Sequence, residues 1–199
     1  FERLAEERMP LLRAASSRVG ETERDEIAAF MKVHPEIADF CRFMALKQTN
    51  GGAEWPEWTE TCCDEQELFL WQFIQYEFYE QWMRIKKYAN ERGIKLIGDI
   101  PIYVAHDSSD VWANRADFQL NEDGHPTAVA GVPPDYFSED GQLWGNPLYD
   151  WDHMRANGYA WWTARMNHML ALFDGVRIDH FRGLEAYWSV PADAETAKE

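Results

Sequence analysis

Basic residues are scarce in this chain: 19 Lys and Arg stand against 35 Asp and Glu, a formal net charge of −16. So acidic a surface repels nucleic-acid phosphates and anionic membranes, which excludes both as partners and leaves a neutral ligand as the best fit. Cysteine is scarce too. Cys41, Cys62 and Cys63 are odd in number, and the adjacent Cys62 and Cys63 cannot easily meet disulfide geometry, so a reducing, cytoplasmic setting is expected. No C-x-x-C or H-E-x-x-H spacing occurs, so no metal and no cofactor is expected. No apolar run reaches the length of a membrane helix, and no signal-peptide pattern opens the chain. The chain begins at Phe1 and stops at Glu199 just after a predicted strand, which reads as a piece of something larger.

Aromatic residues, in contrast, are abundant: ten Trp, eight Tyr and eleven Phe. With 46% hydrophobic residues over 199 positions there is ample material for a packed core, so disorder is not a serious reading. Rings among carboxylates suit sugars, whose C–H faces stack on aromatics while their hydroxyls bond acids.

The spacing of apolar residues divides the chain. Leu4, Leu11 and Leu12, then Ile27, Phe30 and Met31, then Ile37, Phe40, Phe43 and Met44 after Pro35 predict three helices. Thr49-Asn50-Gly51-Gly52 breaks the pattern, and Trp55-Pro56-Glu57-Trp58 reads as a loop with aromatic anchors. A helical subdomain is therefore expected over residues 1–62. Asp64 and Glu67 form a capping-box pattern, and the stripe Trp71, Ile74, Phe78, Trp82, Ile85, Ala89 predicts one long helix with a core-facing side, closed at Gly93. Residues 94–104 read as a strand buried on both faces. Asp107-Ser108-Ser109-Asp110 can cap a short helix, and residues 114–150 form a long, mostly irregular insertion of the kind that usually serves function. A helix from about Asn157 to Phe173, burying Tyr159, Trp162, Met166, Met169 and Phe173, then turns at Asp174-Gly175 into a second strand. Helices alternating with strands predict an α/β fold with a parallel sheet, most naturally part of a (β/α)8 TIM barrel over residues 63–199.

The second strand carries the densest chemistry. In Val176-Arg177-Ile178-Asp179-His180-Phe181-Arg182-Gly183, strand alternation puts Arg177, Asp179 and Phe181 on one face and Val176, Ile178 and His180 on the other. A guanidinium beside a carboxylate favours its charged form, which a nucleophilic Asp needs. An isolated R-x-D is also an ordinary structural ion pair.

Four stretches in order settle the comparison: Gly98-Asp99-Ile100-Pro101-Ile102-Tyr103-Val104, Val129-Ala130-Gly131-Val132-Pro133-Pro134-Asp135-Tyr136-Phe137, Gly141-Gln142-Leu143-Trp144-Gly145-Asn146-Pro147-Leu148-Tyr149 and Val176 to Gly183. Together they closely resemble the 4-alpha-glucanotransferases, the amylomaltase or disproportionating enzymes of the alpha-amylase superfamily. The likeness is strong over residues 66–192 and loose over the first 60. It implies an internal section of the family's barrel, about its third and fourth strands.

The resemblance implies that Asp179 is the nucleophile attacking the anomeric carbon of α-1,4-glucans and maltooligosaccharides, forming a covalent glycosyl-enzyme. Retaining chemistry needs a second carboxyl as acid and base about 5 Å away, and the family takes it from a Glu after its fifth strand, beyond Glu199. Glu185 is near in sequence but carries no motif reason for that role, nor do Glu139 and Asp140. The isolated chain is accordingly expected to turn nothing over. Arg177 is expected to orient Asp179, and His180 to bond a sugar hydroxyl. Asp99 can bond a hydroxyl or hold Arg177; both readings stand. The resemblance also implies that Gln142, Trp144 and Asn146 bind substrate from a loop that covers the cleft, a loop that Pro133-Pro134 would stiffen and Gly141 and Gly145 would hinge; Tyr103, Leu148 and Tyr149 read as packing. Two further readings remain: a catalytically silent glucan-binding piece, and a retaining α-glucan hydrolase of the same superfamily. Open edges on the two strands also predict self-association.

Overall fold

A computed structural model describes residues 2–198; the side chains of Glu2, Leu4 and Ala5 lie outside the described set. The chain divides into two compact units, Phe1–Ile85 and Lys86–Glu199.

The first unit is helical: α1 (Glu2–Ser16), α2 (Glu21–Val33), α3 (Pro35–Thr49) and most of α4 (Glu65–Asn90). Its core gathers Ile27, Met31, Ile37, Cys41 and Phe73, with Trp71 and Ile74 partly buried against it. Pro35 opens α3 as expected, where its missing N–H costs nothing. Trp55 is buried in a single 3-10 turn and Trp58 donates its indole N–H to the Ala53 carbonyl at 2.9 Å, so both rings anchor the loop. Asp64 caps α4 by accepting from the Gln66 and Glu67 N–H groups at 2.9 Å. Glu67 does not close the expected capping box; its carboxylate pairs with Arg13 at 2.5 Å, because a buried acid gains more from a guanidinium than from a backbone donor. The helical subdomain was expected to end at residue 62, whereas Glu65–Ile85 cluster with the first unit, since Leu70 and Phe73 are buried there. The core stripe also needs correction: Phe78 and Ile85 are 56% and 57% exposed. Periodicity fixes which residues share a side, not how far along the helix that side is covered.

In the second unit, β1 (Ile97–Pro101) and β4 (Gly175–Asp179) form a parallel pair with α7 (Ala160–Leu172) leading into β4. Between them come α5 (Ser109–Ala113), β2 (Ala128–Val132), β3 (Gln142–Pro147) and α6 (Trp151–Ala156), and β5 (Trp188–Pro191) follows. Strand β1 is not buried on both faces: its residues alternate, with Ile100 buried and Ile97 74% exposed, because β4 is its one partner among the described residues. The apolar run does continue inward past the strand, as Ile102, Tyr103 and Val104 are buried. Gly98 is required by close packing: a Cβ there would meet the Phe173 ring at 2.4 Å. The long insertion is more regular than expected, since β2 pairs antiparallel with both β3 and β5 to give a three-stranded sheet. The helix expected from Asn157 begins later, as α7 at Ala160, because Tyr159 precedes it with a left-handed backbone (φ 58°) that leaves its ring 40% exposed instead of buried; the short α6 ahead of it was not expected. None of the described helices is long and apolar enough to cross a membrane.

Asp174 fixes the start of the parallel pair. Its carboxylate accepts from the Leu96 N–H at 2.9 Å and the Asn90 amide at 2.8 Å, and its own N–H donates to the Leu96 carbonyl at 2.8 Å. The Leu96 N–H first, then the Asn90 amide, hold this carboxyl below the usual carboxylate range. A group depressed by folding stabilises the fold above its unfolded value, and that contribution disappears as pH falls through the folded value. Acid melting curves of the full-length protein should therefore lose stability below the usual carboxylate range, and D174A should weaken that dependence; an identical pH profile in D174A would count against this latch.

Candidate active site

Parallel pairing places Asp99 opposite Arg177 and Pro101 opposite Asp179 at the carboxyl ends of β1 and β4. Strand alternation then brings Asp99, Arg177 and Asp179 to one face, as the exposed positions of β4 show. Arg177 bridges the strands: Nη1 donates to Asp99 Oδ2 at 2.6 Å and Nη2 to Asp179 Oδ1 at 2.7 Å. All three side chains are more than half exposed, so the pairs contribute little to stability. Their effect is geometric, because one planar fork fixes two carboxylates at once. Asp99 thus holds Arg177, one of the two roles open to it from sequence.

His180 does not follow the strand's alternation. Its backbone turns left-handed (φ 53°) into a single 3-10 turn, Phe181–Leu184, and the ring swings into the same cavity as Asp179 rather than to the opposite face. Such a conformation is costly for a residue with a side chain and clusters at functional sites. Gly183 makes room for it: a Cβ there would lie 2.9 Å from His180 Cδ2 and 2.9 Å from Ile102 Cδ1. The substitution G183A should displace the imidazole, which a shift of the His180 ring resonances in the full-length protein would report; unchanged resonances would mean that the turn has room for the added methyl.

The cavity, about 520 Å³, is of small-ligand size and is lined by Asp179, His180, Trp144, Asn146, Tyr103 and Asp110 among others. Trp144 stands edge-on to His180 with ring centres 5.0 Å apart, and its indole N–H donates to Gln142 Oε1 at 3.0 Å. Gln142 itself is exposed outside that lining. The Asn146 amide donates to the Val104 carbonyl at 2.9 Å, tying β3 to the chain beyond β1. All seven residues singled out from sequence are thus linked or share one cavity.

Two groups near this cavity escaped the sequence reading. Tyr103, read as packing, has a buried hydroxyl with no hydrogen-bond partner among the described residues, and burial pushes it up to about 12, so it stays neutral. Burial likewise raises the Asp110 carboxyl, against the opposing pull of Arg165 and the Trp161 indole. The Ser-Ser-Asp-Val-Trp pattern signals only a helix cap there, and Ser108 indeed accepts from the Val111 N–H. Tyr136 and Phe137 are also new: at 96% and 93% exposure they project from the loop between β2 and β3, where Asp135 accepts from the N–H groups of Phe137 and Ser138 at 2.8 Å. Two rings following Pro133-Pro134-Asp135 were the available signal. Gly141 and Gly145 adopt left-handed angles, φ 70° and 75°. Glu185 lines a different groove, with Trp151, Tyr159 and Trp162, and Asp140 pairs with Lys198 at 2.6 Å.

The profile of the 4-alpha-glucanotransferase family matches residues 1–199. The 4-alpha-glucanotransferase of Thermus thermophilus is 47% identical over 191 residues, 89% of this chain and 38% of that protein, and the one from Synechocystis is 46% identical over 188 residues, 87% and 37%. Among solved structures, the amylomaltase from Streptococcus agalactiae in complex with acarbose superposes with a TM-score of 0.88 at 38% identity, covering 96% of this chain and 42% of that one. The amylomaltase from Corynebacterium glutamicum, at 22% identity and a TM-score of 0.77, shares the fold. The chain spans about two fifths of the length of the relatives it matches. Its fold is α/β, part of a TIM-barrel enzyme. The chain belongs to the 4-alpha-glucanotransferase family.

Proposed function

We propose that the full-length protein is a retaining 4-alpha-glucanotransferase that shuffles α-1,4-glucan segments between maltooligosaccharides in the cytoplasm, with Asp179 as nucleophile. One observation carries the reading: Asp179 sits at the carboxyl end of a parallel strand, held by Arg177 and open to a cavity that also receives His180 and Trp144. The family to which the chain belongs, and the acarbose complex of its structural neighbour, support it. The free thiols Cys41, Cys62 and Cys63 fit a reducing compartment.

In the first step an Asp179 oxygen attacks C1 of the donor glucan; the C1–O4 bond breaks, and the departing oxygen takes a proton from a general acid. Asp99 is given no part in that step, because its Oδ2 is already engaged by Arg177 Nη1 at 2.6 Å. In the second step the 4-hydroxyl of an acceptor sugar attacks C1, returns its proton to the same group and releases Asp179. Arg177 keeps one oxygen of Asp179 fixed throughout, and His180 donates to or accepts from a hydroxyl of the sugar at the bond being cleaved. Transfer in place of hydrolysis requires the intermediate to meet sugar before water. The Trp144 ring offers a stacking surface for an acceptor at the cavity, and the exposed rings of Tyr136 and Phe137 offer two more on the loop between β2 and β3.

Incubation of the full-length protein with maltotriose tests the reading. Glucose and longer oligomers should accumulate while the number of reducing ends stays constant; a steady rise in reducing ends would establish a hydrolase instead, and no product at all would exclude both. Open edges on β1 and β4 also make self-association of the 199-residue chain an expected behaviour, which sedentary monomers at high concentration in sedimentation would contradict.

A further inference from the structure

Beyond Pro101 the ladder between β1 and β4 ends, yet the chain runs on into buried residues, so the carbonyls at this point need donors from elsewhere. Pro101 itself has no N–H with which to anchor the strand end. Arg165, on α7, fills this gap: its Nη2 donates to the Pro101 carbonyl at 2.8 Å and its Nη1 to the Ile102 carbonyl at 3.3 Å. The Tyr149 hydroxyl donates to the same Ile102 carbonyl at 2.5 Å. The guanidinium is itself held in place, with its carbon 5.2 Å and 5.1 Å from the ring centres of Trp161 and Trp162, both buried, and with the Asp110 carboxyl interacting with it electrostatically. A single neutral donor would satisfy one carbonyl; a charged, planar fork held beside two indoles fixes the direction of both.

What that strand end supports is the reacting carboxylate. Pro101 is the register partner of Asp179, Asp99 two residues earlier anchors Arg177, and Pro101, Ile102, Asp110 and Asp179 all line one cavity. We propose that Arg165 is a positioning residue for glycosyl transfer, clamping the Pro101 and Ile102 carbonyls so that the end of β1 holds Asp179 and its Arg177 bridge in attacking geometry. The inference rests on the function proposed above. Arg165 touches neither substrate nor Asp179; it acts through the backbone of β1.

The test compares R165Q and R165K with the parent in the full-length protein, with D179N as control. Misplacing a reacting group by a fraction of its reach typically costs one to two powers of ten, so kcat for maltotriose transfer should fall about 10- to 100-fold in R165Q. KM should stay within about twofold, because substrate contacts are untouched. R165K keeps the charge but reaches one carbonyl, and should recover part of kcat. The rate of glycosyl-enzyme formation should fall with kcat while maltooligosaccharide affinity, read by calorimetry, holds. The inference is overturned if R165Q keeps parental kcat, if R165K is no better than R165Q, if kcat merely follows the folded fraction measured by circular dichroism, or if neither variant folds. Activity surviving in D179N would instead overturn the proposed function, whatever Arg165 does.

Discussion

Replacing Asp179 with asparagine in the full-length protein is expected to lower kcat for maltotriose disproportionation by about 10⁴-fold or more, the scale seen when a covalent nucleophile is removed. Asparagine has nearly the same shape and still offers an Oδ1 to the Arg177 donor that Asp179 accepts at 2.7 Å. The local geometry should survive, so the loss reports chemistry rather than folding. What disappears is the charged oxygen able to form an ester with C1. Because the side chain is 61% exposed, the melting temperature should move little. Parental kcat in D179N would remove the nucleophile and with it the proposed mechanism.

The second large effect is expected at Arg177. Its guanidinium contacts both carboxylates, at 2.6 Å and 2.7 Å, so R177M leaves Asp99 and Asp179 as like charges on one face of the strand pair. They should move apart, and Asp179 should lose its attacking position; kcat should fall about 10²- to 10³-fold, combining misplacement with lost charge stabilisation. Stability should change by no more than about 1 kcal/mol, since these are exposed pairs screened by solvent. R177K should not restore activity, because an ammonium cannot present two parallel donors to two partners. Full activity in R177K would mean that charge alone matters and that the fork does not.

Much of the site was legible in the sequence because it lies on elements whose rules are local. Arg177 and Asp179 share a face because strand alternation is strict, and the carboxylate–guanidinium bridge to Asp99 follows once the two strands pair in parallel register. The helix caps at Pro35, Asp64 and Ser108 were readable for the same reason. What failed depended on distant partners or on backbone angles that residue type does not announce. His180 and Tyr159 are left-handed without being glycine, which no period rule foresees; the first gained a place beside Asp179 and the second set the start of α7. Glu67 was drawn from its capping role by Arg13, 54 residues away. The segment holding β2 and β3 was read as irregular because β2 meets β5 only across some sixty residues of chain, and short strands rely on such remote pairing. Asp110 looked like a cap residue because its other neighbours, Trp161 and Arg165, come from a helix far along the chain.

The most direct measurement is to trap the covalent intermediate. The full-length protein is incubated with a fluorinated α-glucosyl fluoride, whose ester with the enzyme breaks down slowly, and then digested and sequenced by tandem mass spectrometry. An adduct with the mass of the fluorinated glucosyl group on the peptide carrying Val176 to Gly183, located at Asp179, is the expected result. Label on another carboxylate, or complete turnover of maltotriose by protein that never acquires label at Asp179, would contradict it.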